Sequence, residues 1–298
     1  MRRLWVRLRD RIAECGFRQA PVAVRVYVAV VVTAAVAIAA ATAGAVPVGG
    51  RDLAQAGVLA GAAWVSTELM RRVERQREYL RADGTAYVDT KGVWSMAALV
   101  VLPPALASAM VVWTYAIAWF RVWPSARPVL LYRWVFACAT VLLGTQAAAA
   151  VLAIGMSSYP GPPATGWWSA PADLAVIVVA LAVRWAFNCG LVMAAIAVSS
   201  PGTRTSALFR NFSQQWLEAG SAGLGLVAAV LVVTHPLVLA GVVAGLAVMY
   251  RGVLLHQFQV AARTDSKTGL ATVACGGTPV PRARSTMPVP SAARWAFW

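Results

Sequence analysis

Acidic residues are scarce in this chain. Its 298 residues hold 11 Asp+Glu against 26 Lys+Arg, with two histidines, His235 and His256. No acidic residue follows Asp265. Charged types make up 12% of the chain, about half the share usual in soluble domains. No Ser/His/Asp triad, paired carboxylates, HExxH or P-loop is present. The cysteines, Cys15, Cys138, Cys189 and Cys275, have no CxxC spacing. They imply no disulfide framework and no zinc site. Cys138 and Cys189 lie inside apolar runs and read as small buried hydrophobes. No catalytic residue and no metal site are expected.

What is there is apolar. Hydrophobic types reach 60% and the mean hydropathy is +0.67. A soluble globule cannot hide that much apolar surface, so the composition points to a polytopic membrane protein. The net charge of +15 then reads as basic cytoplasmic loops rather than as a nucleic-acid surface. No nucleic-acid partner is expected; the first partner is the bilayer itself.

The expected architecture is all-α. Residues 1–21 are basic and amphipathic, with Trp5, Leu8 and Ile12 on one side, and read as a cytoplasmic surface helix. A span needs about 20 apolar residues. Full spans are predicted at 22–46, 53–70, 129–154, 172–198, 216–235 and 237–255. The stretch 93–120 carries Pro103-Pro104 in its middle, which removes two helix donors and clashes with the preceding turn.

The arginine count decides how 93–120 runs. Segments 1–21 and 71–92 each carry six Lys+Arg, 121–134 three, 199–215 two, and the chain from 256 onward five. The intervening segment 47–52 has only Arg51, and 155–171 has none. All rich segments share one side only if 93–120 enters and returns. The expectation is a bundle of about six full spans plus a re-entrant or double-crossing pair broken at the prolines. The pair is placed in the bundle interior and both termini in the cytoplasm. The location is then an inner (plasma) membrane, multi-pass. Within 71–92, the first half alternates charges as a solvated helix does, Asp83-Gly84 signals a turn and Thr85–Val88 a short strand.

Ionisable groups at membrane depth are costly and are candidate functional residues. Arg25 lies one turn into its span and reads as snorkelling to headgroups. Glu68 and Glu218, near inner span ends, are expected to pair with Arg71, Arg72 or Arg210. Arg184 is near the middle of 172–198, with Asn188 at i+4 on the same face. These two residues are the candidate sensing pocket for a small-molecule ligand. The span is longer than needed, so a register in which Arg184 approaches an interface is equally open. The glycine-rich run Gly220–Gly225 sits in an apolar span, where small residues are packing surface and not a phosphate cradle.

After the last span, Leu254, Phe258 and Ala261 recur at i, i+4 and i+7. The helix is therefore expected to continue into the cytoplasm with one apolar stripe, suited to pairing with a second copy. There follow Thr264-Asp265-Ser266-Lys267-Thr268-Gly269-Leu270. This resembles the opening of a GGDEF domain, the diguanylate cyclase module: Asp265, Thr268, Gly269 and Leu270 match the family's Asp, Thr, Gly and Leu. The resemblance covers about nine residues and stands directly after a multi-span region, where such domains sit. The membrane part is also loosely similar to membrane regions of such proteins. The resemblance implies a bacterial signal-transduction protein acting through cyclic di-GMP, with homodimers and, in an intact member, Mg and GTP.

The departures are equally specific. Thr272 stands where the family has Asn, and there is no Asp-x-Asp-x-Phe and no GGDEF loop. Two-metal phosphoryl chemistry needs those carboxylates, so no enzymatic activity and no cofactor are expected of this chain. The domains read as 1–21 basic segment, 22–255 membrane sensor bundle, 256–270 signalling helix and GGDEF start, and 271–298 irregular tail.

That tail has four prolines and ends Trp295-Ala296-Phe297-Trp298. Trp has one codon, so these four residues are TGG-GCN-TTY-TGG. Shifted by one base they encode Leu, Val or Met, then Gly, an apolar residue and Leu, as in the strand before the family's metal motif. The expectation is a frameshifted or truncated cyclase domain. The competing reading is a membrane transporter or substrate-binding membrane subunit, with TDSKTGL an accident.

Overall fold

The computed structural model describes residues 17, 20–80, 90–121, 130–199 and 212–262. Among them the chain is helical and forms no strand. The eight α-helices are α1 (Val22–Ala43), α2 (Gly50–Leu80), α3 (Thr90–Val101), α4 (Pro104–Arg121), α5 (Leu131–Gly155), α6 (Ser169–Ser199), α7 (Phe212–Thr234) and α8 (Leu239–Ala262). A 3₁₀ turn at Pro236–Val238 joins α7 to α8. Three helices, α1, α5 and α6, are long and apolar enough to cross a membrane. The surface segment 1–21, the Thr85–Val88 strand and the tail 271–298 lie wholly or mostly outside the described residues.

The core is hydrophobic, but the exterior is far more apolar than that of a soluble domain. Val26, Val30, Val36, Val178, Val179 and Val248 are exposed, whereas Ser66, Ser95, Ser108, Thr140, Thr145 and Gln146 are buried. Soluble monomers rarely expose contiguous apolar surface on this scale. The exterior suits hydrocarbon, and the buried hydroxyls are satisfied within the bundle. Many bond a carbonyl on their own helix, as Thr145 does to Val141 at 2.7 Å.

Successive helices alternate in direction. Phe17, before α1, meets Tyr132 at the start of α5 with ring centroids 5.4 Å apart. Tyr27 donates to the Leu191 carbonyl near the end of α6 at 2.9 Å. Glu68, in the second half of α2, bonds Arg121 at the end of α4. Adding a Cβ to Gly92, at the start of α3, would bring it to 3.4 Å from Ser221 Oγ in the first half of α7. The described borders of the Lys/Arg-rich segments therefore gather at one end, the basic end.

The helix breaks at the prolines. Helix α3 ends at Val101 and α4 starts at Pro104. The two fold back as a hairpin, because Lys91 at the start of α3 lies over Tyr115, most of the way along α4. Every residue from Val93 to Pro104 is buried. Helix α3 is thus the centre of the bundle, packed on α7, α4, α2 and α5. Gly225 permits the close approach of α7: a Cβ there would lie 2.7 Å from Met96 Cβ and 2.8 Å from the Val93 carbonyl oxygen. At Gly144 a Cβ would lie 2.8 Å from the Arg184 carbonyl oxygen, which sets the α5–α6 approach.

Two helices run on past their predicted spans, as the charged stretch after Met70 and the apolar stripe after Arg251 lead one to expect. Helix α2 runs on through Leu80, well past residue 70, because the charged stretch after Met70 is a good helix former. Helix α8 likewise continues without interruption through Ala262.

Candidate functional site

Pro104 has no N–H to give to the Val100 carbonyl. Gly161, in the loop 156–168, supplies it instead: its N–H donates to Val100 O at 3.2 Å. On the other side of the break, Ser108 Oγ donates to Pro104 O at 2.8 Å. Gln146 Nε2, from α5, donates to Ser108 Oγ and to Pro104 O. The hairpin tip is therefore a closed hydrogen-bond cluster with contributions from three places in the chain. Gln146 is about 22 Å along α5 from Leu131, and about 14 Å short of Gly155, at 1.5 Å per residue. The tip stops below the far end of α5, and the loop 156–168 descends to meet it.

Asp173, on the first turns of α6, ties that loop. It is 2% exposed. Its carboxylate accepts from Ser157 N–H at 3.1 Å, Ser157 Oγ at 3.0 Å and Ala164 N–H at 2.8 Å. Three donors satisfy the charge in place of water. Tyr159 packs against the core, and its hydroxyl oxygen is buried with no hydrogen-bond partner. Burial pushes that hydroxyl above its ordinary pKa.

The predicted pair Arg184 and Asn188 is brought onto one face of α6, but each residue engages a different helix. Arg184 Nη2 donates to Ser95 Oγ on α3 at 2.7 Å, and Nη1 lies 3.9 Å from Met96 Sδ. Asn188 Oδ1 accepts from Thr140 Oγ1 on α5 at 2.9 Å. Ser95 lies about one turn from Lys91, so the guanidinium reaches back toward the basic end. The two residues stitch α6 to α3 and α5.

The inner-end carboxylate finds two cations. Glu68 Oε1 pairs with Arg71 at 3.0 Å and Oε2 with Arg121 at 2.8 Å. Arg71 was an expected partner; Arg121 was not. Arg121 also sits 5.1 Å from the Trp64 ring centroid. Beside this pair, Lys91 Nζ is 5.0 Å from the Tyr115 centroid and 5.1 Å from that of Trp134. Arg25 Nε is buried without a hydrogen-bond partner. The side chain of Glu218 and the motif residues Asp265, Thr268, Gly269 and Leu270 lie outside the described residues.

An apolar groove of about 340 Å³ runs between α7 and α8, lined by Leu224, Val238, Gly241, Val242, Gly245, Leu246 and Met249. Among the described residues no group of His, Cys, Asp and Glu is arranged to hold a metal ion. In comparisons with known proteins, no family model matches the chain, and no curated protein or solved structure matches it significantly.

Proposed function

We propose that the chain is the membrane sensor region of a cyclic di-GMP signalling protein, with helix α8 leading into the output. The observation that carries this reading is sequential: Asp265 stands three residues after Ala262, the last residue of α8, and Thr268, Gly269 and Leu270 follow it. In this reading the basic end is cytoplasmic, as the positive-inside rule requires. Helices α1, α2, α5, α6, α7 and α8 cross an inner (plasma) membrane, and the α3–α4 hairpin enters from the basic end and returns. Both termini are then cytoplasmic.

The bundle receives the signal and α8 passes it on. Arg184 and Asn188 are the proposed sensing residues. Their hydrogen bonds to Ser95 and Thr140 are the contacts a small polar ligand would compete for. The chain performs no cyclase chemistry, because the carboxylates that would hold Mg and GTP phosphates are missing from its sequence.

The DNA after codon 270 tests the family reading. One alternative frame is expected to encode Asp-x-Asp-x-Phe followed by a GG(D/E)EF loop. Frames carrying neither would remove the cyclase reading.

A further inference from the structure

The loop 156–168 has two sides. Toward the bundle it inserts Tyr159 and the Gly161 amide, and the amide replaces the helix donor lost at Pro104. Away from the bundle it carries Trp167 and Trp168, which are 85% and 84% exposed. The loop and its borders, 155–171, hold no Lys, Arg, Asp or Glu. The helices entering and leaving it present Ile154, 87% exposed, and Val178, 63% exposed. This end of the bundle is opposite the basic end. Two bare indoles beside uncharged backbone and exposed aliphatics match one environment. Indole keeps its ring in apolar surroundings and its N–H in the headgroup layer.

We infer that the loop 156–168 is a strap between the lipid interface and the hairpin. Trp167 and Trp168 seat in the interfacial layer of the leaflet opposite the basic end, while Gly161 holds the tip of α3. Asp173 fixes the length of the strap by binding both Ser157 and Ala164. The indoles sit in the turn closed by the Ala170 N–H on the Gly166 carbonyl, so a bilayer that moves them moves the start of α6 and, through Asp173 and Ala164, pulls Gly161 on Val100. That pull reaches the helix carrying Ser95 and Met96, which contact Arg184 and Gly225. The partner is a lipid surface, and the stimulus it delivers is bilayer thickness. The inference rests on the membrane placement proposed above and not on the output, so its test reads no signalling.

The full chain is placed in nanodiscs of short-chain and long-chain phosphatidylcholine, alongside the Trp167→Phe/Trp168→Phe and Trp167→Ser/Trp168→Ser variants. The fluorescence difference between wild type and the double Phe variant isolates the two indoles. It is expected to be quenched by lipids brominated near the headgroup and little affected by aqueous iodide. Hydrogen exchange of the peptide containing Gly161 is expected to change at least threefold between the two thicknesses in wild type. In the double Ser variant this dependence is lost, while Val93–Leu99 stays protected and reports an intact fold. Quenching by iodide alone would place the indoles in water, available to a protein partner, and overturn the proposal. Equal thickness dependence with and without the indoles would also overturn it.

Discussion

Lys91 and Tyr115 touch, with the ammonium 5.0 Å from the ring centroid, although two prolines and more than twenty residues separate them in the chain. The contact closes the open end of the α3–α4 hairpin, and Trp134 on α5 shares the same cation. A single kinked helix could not make it, because residues 91 and 115 would lie about 36 Å apart at 1.5 Å per residue.

Lys91→Ala removes both ring contacts. Cation–π pairs contribute about 0.5–2 kcal/mol each, more when sheltered from water. The expected result is a lower melting temperature in detergent by several degrees, with Lys91→Arg close to wild type. An unchanged melting temperature for the Ala variant would show that packing alone holds the hairpin.

Two glycines of the last helices should respond oppositely to Ala. At Gly225 the new methyl meets Met96 and the Val93 carbonyl at under 3 Å, so overpacking is expected to cost about 1–3 kcal/mol. At Gly241 nothing lies within 4 Å. There Ala is expected to stabilise by up to about 1 kcal/mol, through helix propensity. Unfolding of the two variants in parallel checks the central position of α3.

Asp173→Ala leaves two loop amides without their acceptor. Hydrogen bonds to a charged group contribute about 1.5–3 kcal/mol each when buried. Exchange at Ser157 and Ala164 should rise by at least tenfold, while the Asn variant, which keeps one acceptor, falls between. Exchange that stays slow in the Ala variant would contradict the role given to this carboxylate.

Glu68→Gln should matter little for stability. Its side chain is 33% exposed, and Arg71 and Arg121 are similarly open. Exposed ion pairs of this kind contribute about 0.2–1 kcal/mol. The expected change in melting temperature is within a few degrees.

The features written in local residue types were legible in the sequence. Pro103-Pro104 marked the break because proline's missing N–H acts on its own helix wherever it stands. Apolar length marked α1, α5 and α6, and Glu68 found Arg71 because i+3 neighbours meet on any helix. The loop 156–168 was not legible. Its interior placement depends on Asp173, which lay inside a predicted span without a local partner, and on a carbonyl some sixty residues earlier. The missed pairing of Glu68 with Arg121 has the same origin, since it follows from the parallel course of α2 and α4. Arg184 and Asn188 share one face as i, i+4 neighbours, but which helix each would bond depended on the arrangement of α3 and α5 around α6. An unmatched acid one turn into an apolar span, next to a proline-rich loop, was the available signal for Asp173.

We propose control of an output by this bundle through α8. Its most direct test joins residues 1–262 to an intact GGDEF domain and measures cellular cyclic di-GMP for the wild-type fusion and for Arg184→Ala. The expected result is cyclic di-GMP production by a membrane-inserted fusion, and a change of at least threefold in the Arg184→Ala fusion at equal expression. Equal cyclic di-GMP from both fusions and from the detached GGDEF domain would contradict it.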